Sequence, residues 1–420
     1  MLYAERMTDA TDRHLAAQYE AFPYPERNPR DEAKRLIVGS PSHLREVDYW
    51  VFGARRPKSQ PLRALVAGGG TGDGTIMLAA HMAREGRPGS VTYLDRSEAA
   101  LRIARARAEA RGLTNVEFQL GSLLDLPTLG LGAFDYIDCC GVLHHLPDPE
   151  AGLRALLSAL APSGGMGLMV YAPHGRIGVY MLQDALRLLA PESEPPQARL
   201  DVARRVMRNL PESAWLRFNP NFADHQSGGD AGLYDLLLNP RDRAYDVASF
   251  ATLLGEAGLA ISCLMEPLRY DPAAYVADPK VRALAAALDP IARAALAEAL
   301  AGNISTHVAY CRRASEPVVP ADAMDPAAVP VAREITGPQL AAGIAADGTL
   351  GFNFNRLRVS VPVPALAGAI LRRIDGVRSV GAIEAELVAA GTDPAKFLAA
   401  WAETWTRLSQ VNQILLAAPA

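Results

Sequence analysis

The chain has 420 residues, half of them hydrophobic, and a net charge of −4 with both signs spread along its length. It is too long for one ordinary domain, so two or three are expected, with apolar material enough for substantial cores. The charge balance argues against a dedicated nucleic-acid binder, which carries a basic stripe, and no apolar run approaches the ~20 residues that span a bilayer.

Residues 1–58 contain Gln18-Tyr-Glu-Ala-Phe-Pro-Tyr-Pro25, an aromatic segment whose prolines suit an extended course rather than a helix interior. It reads equally as a lid over a ligand and as a strap that fills a groove with Phe22 and Tyr24. Leu62 to Ala67 reads as a buried strand that breaks into Gly68-Gly-Gly-Thr-Gly72 and resumes as a helix from Thr75 to Ala83. Such a junction lets a ligand lie directly on the backbone, because glycine has no Cβ and accepts positive φ. Val91 to Leu94 is the next strand, and Asp95 at its end is placed to accept both hydroxyls of a ribose. Together these features point to an adenosine-containing cofactor at the carboxyl end of a parallel sheet. A dinucleotide fingerprint needs G-x-G-x-x-G, but the sixth position is Asp73 counting from Gly68 and Thr75 counting from Gly70. The spacing that fits is G-x-G-x-G over Gly68, Gly70 and Gly72, which sets a nicotinamide oxidoreductase aside.

Three further stretches follow in order: Val116-Glu-Phe-Gln-Leu-Gly-Ser-Leu-Leu-Asp-Leu-Pro127, Phe134-Asp-Tyr-Ile-Asp-Cys-Cys-Gly-Val-Leu-His-His-Leu-Pro-Asp-Pro149, and Leu156 to Tyr171. Beyond Tyr171, Val179, Leu182, Leu186 and Leu189 give an apolar helical face over Arg176 to Leu189, and a second helix is expected over Ala198 to Asn209. Asn219 to Asp235 reads as a polar, Asn/Gly-rich stretch that continues through Asn239 to Tyr245. Asp246 is placed to cap a helix over Val247 to Ala257, with strands at Ala260–Pro267 and His307–Arg312 and helices between them. The Pro/Ala-rich run Ser315 to Val331 marks a linker. In the last segment, Leu357 to Val361 alternates as a strand, and helices are expected over Ala365–Ile374, Ser379–Ala389 and Pro394–Asn412. This is a small, mainly helical, winged-helix-like domain over 332–420. Its charges nearly cancel, which favours docking on the main domain or dimerisation over DNA binding.

The glycine spacing resembles motif I of class I S-adenosylmethionine-dependent methyltransferases. Residues 116–127 are similar to the strand and turn that hold adenine in that family, 134–149 to its fourth-strand motif, and 156–171 to its helix, turn and fifth strand. The resemblance covers residues 60–175 closely and 245–313 more loosely. It implies an α/β fold over 59–314, a Rossmann-like seven-stranded sheet with helices on both faces. An inserted segment, 176–245, follows the fifth strand on the side where loops build a ligand crevice. It implies S-adenosylmethionine as cofactor and S-adenosylhomocysteine as product. Gly68, Gly69, Gly70, Gly72, Asp95, Arg96, Ser122, Leu123, Cys140 and Gly141 would then contact the cofactor. Two positions depart from the pattern. Val66 stands where many members carry an acid that helps bind the methionine end, and Ser122 replaces an aspartate that contacts adenine. The Ser122 hydroxyl can still hydrogen-bond the adenine amine, and the Leu123 amide the ring nitrogen.

Transfer from a sulfonium asks little of the side chains. Alignment of nucleophile, methyl carbon and sulfur is worth ~7–11 kcal/mol, and a base is needed only when the nucleophile starts protonated. Candidates therefore come from position. His145, after the fourth strand, suits a base; the plainer reading is that His144 and His145 hydrogen-bond and cap the next helix. His225, with Asp224, lies in the inserted polar stretch near Tyr234, Asp235, Asp242, Arg243 and Tyr245, which either lines a site or makes turns. Tyr19 is placed to orient substrate or attract a cation to its ring, or to fill space. The expected activity is methyl transfer to an unidentified acceptor, a small molecule in preference to a protein side chain. Val66 leaves a non-catalytic S-adenosylmethionine-binding regulator as the alternative. Cys139, Cys140, Cys263 and Cys311 lack metal-ligand spacing, so no metal is expected. The first residues carry no apolar signal segment, which makes a cytoplasmic location the expectation. The Ala-, Arg- and Pro-rich composition points to a GC-rich bacterial source. A homodimer contact is expected through the C-terminal domain or the inserted segment.

Overall fold

Leu62–Ala67 forms β1, and all its residues except Arg63 are buried. An apolar run buried on both faces belongs in the middle of a parallel sheet, and β1 sits there. It pairs in parallel with β2 (Gly89–Asp95) on one side and β4 (Phe134–Cys140) on the other. Outside them, β3 (Val116–Leu120) pairs with β2 and β5 (Leu160–Tyr171) with β4, again in parallel. With β6 (Leu259–Met265) and β7 (Thr306–Arg313) the sheet is seven-stranded, in the order β3-β2-β1-β4-β5-β7-β6. The helices Asp73–Arg84, Glu98–Ala110 and Pro149–Ser158 make the crossovers. The chain order reverses beside β1, and in open α/β sheets that switch point opens the ligand crevice at the carboxyl ends of the strands.

The structure, a computed structural model, describes residues 10–219, 228–354 and 356–419. The chain divides into two compact units, Met1–His43 with Pro61–Ala257 and Gly302–Val308, and Leu44–Gln60 with Gly258–Ala301 and Ala309–Ala420. In the first unit, the inserted segment contributes helices Val179–Leu189, Pro196–Arg208 and Gly229–Leu238. They share a core of Val179, Leu186, Leu200, Leu233, Tyr234 and Leu237. The last helix corrects the expectation of a polar stretch reaching Asp235. Its glycine-rich start disguises it, but Leu233 and Leu236–Leu238 are buried, and that burial outweighs weak propensity. The helix read from Arg176 begins only at Val179, because Gly178 at φ +89 breaks the turn before it.

In the second unit, Ile370, Ile383, Leu387, Phe397, Trp401 and Leu408 form one core. Helices Val380–Ala389 and Pro394–Gln410 supply five of these six. Pro330–Ala332 (β8), at the end of the run read as linker to Val331, pairs antiparallel with Ile414–Leu416 (β11). Thr349–Phe354 (β9) forms a hairpin with Leu357–Pro362 (β10), and β9 was not legible in the sequence. Leu44–Gln60, read as part of the N-terminal segment, belongs to this second unit. Glu46 is fully buried, with Arg333 and Asn412 on one oxygen and the Tyr310 hydroxyl 2.7 Å from the other. Tyr49 meets the Trp405 ring edge-on at 5.9 Å. Among the described residues, no helix is long and apolar enough to cross a membrane.

Candidate functional site

The turn after β1 is left-handed at Gly68 and Gly70, with φ +83 and +50. A Cβ on Gly68 would run into Val142, and one on Gly70 would stand 2.8 Å from the Tyr24 carbonyl oxygen. The second contact shows what lies over the loop. Thr71 Oγ1 donates to the Pro25 carbonyl at 2.7 Å, and Arg27 pairs with Asp73 at 2.7 Å. Asp73 also takes Arg107 at 2.6 Å, and the two arginines outweigh burial to hold its carboxyl below the usual range. Arg107 is itself buried, donating to the Thr71 carbonyl at 2.8 Å and to Glu32 at 2.7 Å. The segment from Tyr24 to Glu32 is thus tied to the glycine loop by charge-assisted bonds.

Asp95, ending β2, accepts from the Gly70 amide at 2.8 Å and the Ser97 amide at 2.9 Å. Burial pushes its carboxyl up, and these amides pull it partly back. Arg96 follows it, half-buried. Ser122 caps the short turn after β3 by accepting from the Leu124 amide at 3.2 Å, and the Leu123 side chain is buried. At the end of β4 lie Cys140 and Gly141, both half-buried. One turn of pleat earlier is Asp138, which the sequence reading passed over. It is 1 % exposed and receives the Ser42 hydroxyl on Oδ2. Its Oδ1 is buried with no hydrogen bond of ordinary geometry. Burial raises its carboxyl to about 7, against the pull of Ser42 and the nearby Cys140 amide. A charged residue inside the apolar run 134–140 was the available signal.

A second cluster lies between the end of β5 and the inserted segment. Asp235 accepts from the Tyr19 hydroxyl at 3.2 Å, the Tyr171 hydroxyl at 3.1 Å and the Asn239 amide at 3.3 Å, all neutral donors. Burial and Asp235 raise both phenols well above their usual value, and Asp95 adds a smaller push on Tyr19. Tyr19 therefore stands within electrostatic reach of both carboxylates. Arg176 places its guanidinium 3.7 Å from the Tyr171 ring centre and donates to Asp242 at 2.9 Å. Burial opposes its charge, and Asp242 outweighs burial. Gln183 adds a 2.8 Å bond to Asp242.

The histidine pair sits beside Tyr171. The His144 ring is 3.9 Å from Tyr171 and 4.1 Å from His145, and neither of its nitrogens has a hydrogen bond. Burial keeps it neutral, well below its usual range. His145 Nδ1 lies 2.5 Å from the Arg241 carbonyl oxygen. A carbonyl only accepts, so Nδ1 carries the proton and Nε2 is left with a lone pair in the neutral ring. Neither histidine caps helix Pro149–Ser158; Asp148 does, accepting from the Ala151 amide. Tyr19 and His145 are thus brought together through Asp235 and Tyr171. His225 lies outside the described residues. Tyr171, Arg176 and Gln183 had no distinguishing signal in the sequence, since each reads as part of an ordinary strand or helix.

This is a doubly wound α/β fold, with the glycine loop, Asp95 and Asp138 grouped towards the carboxyl ends of β1, β2 and β4. Residues 60–174 match the family model of a methyltransferase domain. An uncharacterized protein of Synechococcus sp., syc1184_c, is 30 % identical over 269 residues, 63 % of each chain. A ubiquinone biosynthesis O-methyltransferase of Xanthomonas axonopodis pv. citri is 35 % identical over 109 residues, 26 % of this chain and 44 % of that one. The chain therefore spans less than two thirds of these curated relatives. PKMT2 from Rickettsia typhi, solved in complex with AdoHcy, shares the fold with a TM-score of 0.62 at 15 % identity, over 90 % of this chain and 75 % of that one. Residues 60–174 are thus similar to a methyltransferase domain, and the chain shares the fold of PKMT2.

Proposed function

We propose that the chain transfers the methyl group of S-adenosylmethionine to an amine-bearing acceptor held between β5 and the inserted segment. The carrying observation is Asp235, a buried carboxylate held by two phenols and an amide at the carboxyl end of the sheet. Its hydrogen-bond donors are neutral, and Arg176, the cation within electrostatic reach, is bound to Asp242, so a protonated amine is the acceptor chemistry that pairs with Asp235. The cofactor supplies a methyl group already activated on a sulfonium.

In this reading Gly68, Gly69, Gly70 and Gly72 receive the cofactor on the backbone and Asp95 takes the ribose hydroxyls. Arg96, Ser122 and Leu123 border the base, and Cys140 with Gly141 border the amino-acid end. His145 Nε2 takes the proton that the amine must lose before it attacks, and the Arg241 carbonyl fixes the tautomer that lets it do so. Tyr19 and Tyr171 orient Asp235 and present their rings to the cation. The segment Tyr24–Arg27 acts as a lid that keeps water from the cofactor.

A small molecule is the favoured acceptor, because Tyr171, Asp235 and His145 are almost wholly enclosed. A protein side chain is the second reading. It is supported by Met181, Leu188, Trp215 and Phe218 of the inserted segment, all more than half exposed. Incubating the purified protein and methyl-labelled S-adenosylmethionine with a cell lysate tests these readings. Label in amines of the low-mass fraction supports the first, and label in protein the second. Label in neither, from a protein that binds S-adenosylhomocysteine, refutes both and leaves the non-catalytic alternative.

A further inference from the structure

The cofactor brings two cationic groups to this cleft, its sulfonium and the α-ammonium of its amino-acid end. Three carboxylates of the first unit border the glycine loop. Asp73 is neutralised by Arg27 and Arg107. Asp95 is held by the Gly70 and Ser97 amides and is the carboxylate given to the ribose in the proposed function. Asp138 has the Ser42 hydroxyl on Oδ2 and the Cys140 amide nearby, and no cation among the described residues; its Oδ1 is buried with no hydrogen bond of ordinary geometry. Its position is also right. Asp138 pairs in register with Val66 across β1 and β4, so the two side chains share a face of the sheet. Val66 brings no charge to that face two residues before Gly68. A Cβ on Gly74, just after the glycine loop, would lie 3.0 Å from Asp138 Oδ2. Cys140, two residues on and on the same face, ends the strand beside the loop.

We propose that Asp138 is the carboxylate that binds the α-ammonium group of the cofactor, with Oδ1 as the accepting atom and Ser42 fixing the carboxylate through Oδ2. This rests on the reading of the domain as one that binds S-adenosylmethionine. The ammonium supplies the cation that the buried carboxylate lacks, and its charge-assisted bond occupies the oxygen left over. The residue holds an end of the cofactor remote from the methyl group, so it acts in binding rather than in transfer.

The test uses calorimetry on the full chain, wild type and Asp138→Asn, with two ligands. S-Adenosylhomocysteine carries the amino-acid end; 5′-methylthioadenosine lacks it. Asp138→Asn is expected to weaken S-adenosylhomocysteine ~10-fold or more, the size of one buried charge-assisted bond, and to leave 5′-methylthioadenosine within about twofold of wild type. Equal affinity of both proteins for S-adenosylhomocysteine, or an equal loss of both ligands, overturns the assignment. A wild type that binds neither ligand instead refutes the cofactor reading beneath it. If the variant fails to fold, a crystal structure of the wild type with S-adenosylhomocysteine decides. An amine nitrogen within hydrogen-bond distance of Asp138 Oδ1 supports the proposal, and one beyond ~4 Å from both oxygens overturns it.

Discussion

Replacing Asp95 by alanine probes the cofactor site most directly. As the sugar ligand, the carboxylate accepts two hydroxyls, and hydrogen bonds to a charged group contribute ~1.5–3 kcal/mol each. Their joint loss is ~3–6 kcal/mol, or roughly 10²–10⁴ in affinity. The side chain has a second duty, since its oxygens receive the Gly70 and Ser97 amides at 2.8 and 2.9 Å. Ser97 in turn caps helix Glu98–Ala110 by accepting from the Ala100 amide. Asp95→Ala therefore also leaves two donors without their acceptor, at ~1–3 kcal/mol each where they stay dry. Asp95→Asn separates the two effects, because it keeps one oxygen while losing the charge. Titration calorimetry with S-adenosylhomocysteine, beside circular dichroism to establish folding, should rank wild type, then Asn, then Ala. A folded Asp95→Ala protein that binds S-adenosylhomocysteine within about threefold of wild type would refute the ribose role and the magnitude built on it.

Gly70→Val places a side chain against the Tyr24 carbonyl at φ +50, so it should lift the N-terminal segment as well as crowd the cofactor. Limited proteolysis near residues 19–27 should speed up while S-adenosylhomocysteine binding falls; unchanged cleavage and binding would remove the lid from the loop. His145→Ala should lower turnover ~10²–10⁴-fold with little effect on S-adenosylhomocysteine affinity, read from labelled methyl transfer. Full activity in that variant removes His145 as base. Glu46→Ala takes the carboxylate from Arg333, Asn412 and Tyr310 and should cost ~3 kcal/mol, seen as a lower unfolding midpoint of the second unit. A midpoint unmoved from wild type refutes that account. The folded-state pKa of Asp138 is raised to about 7 by burial. The folded protein thus holds a proton that the unfolded chain releases near ~3.9, so the stability linked to it is present at low pH and lost as pH rises through about 7. The ligand-free wild type should lose stability between pH 5 and pH 8 relative to Asp138→Asn, in thermal melts; parallel curves would mean that Asp138 is ionised throughout.

The strand, glycine turn and helix around Gly68 are local, and the sequence sufficed for them. The strand before Gly68, the turn, the helix after it and Asp95 lie within one continuous stretch, and backbone sterics tie each residue type to its place there. The strands β1, β2 and β4 and the cap at Asp246 were legible for the same reason. The cluster around Asp235 was not. Tyr19 and Asp235 are 216 positions apart and meet only because helix Gly229–Leu238 buries its leucines, turning Asp235 inward. Asp138 reads as an interruption of an apolar strand until its register with Val66 sets it beneath the loop. Leu44–Gln60 joins the C-terminal core through Glu46, a pairing of residues 287 and 366 positions away. Short-range rules fix conformation residue by residue. A carboxylate's counter-charge depends on what folding brings near it, which no local pattern records.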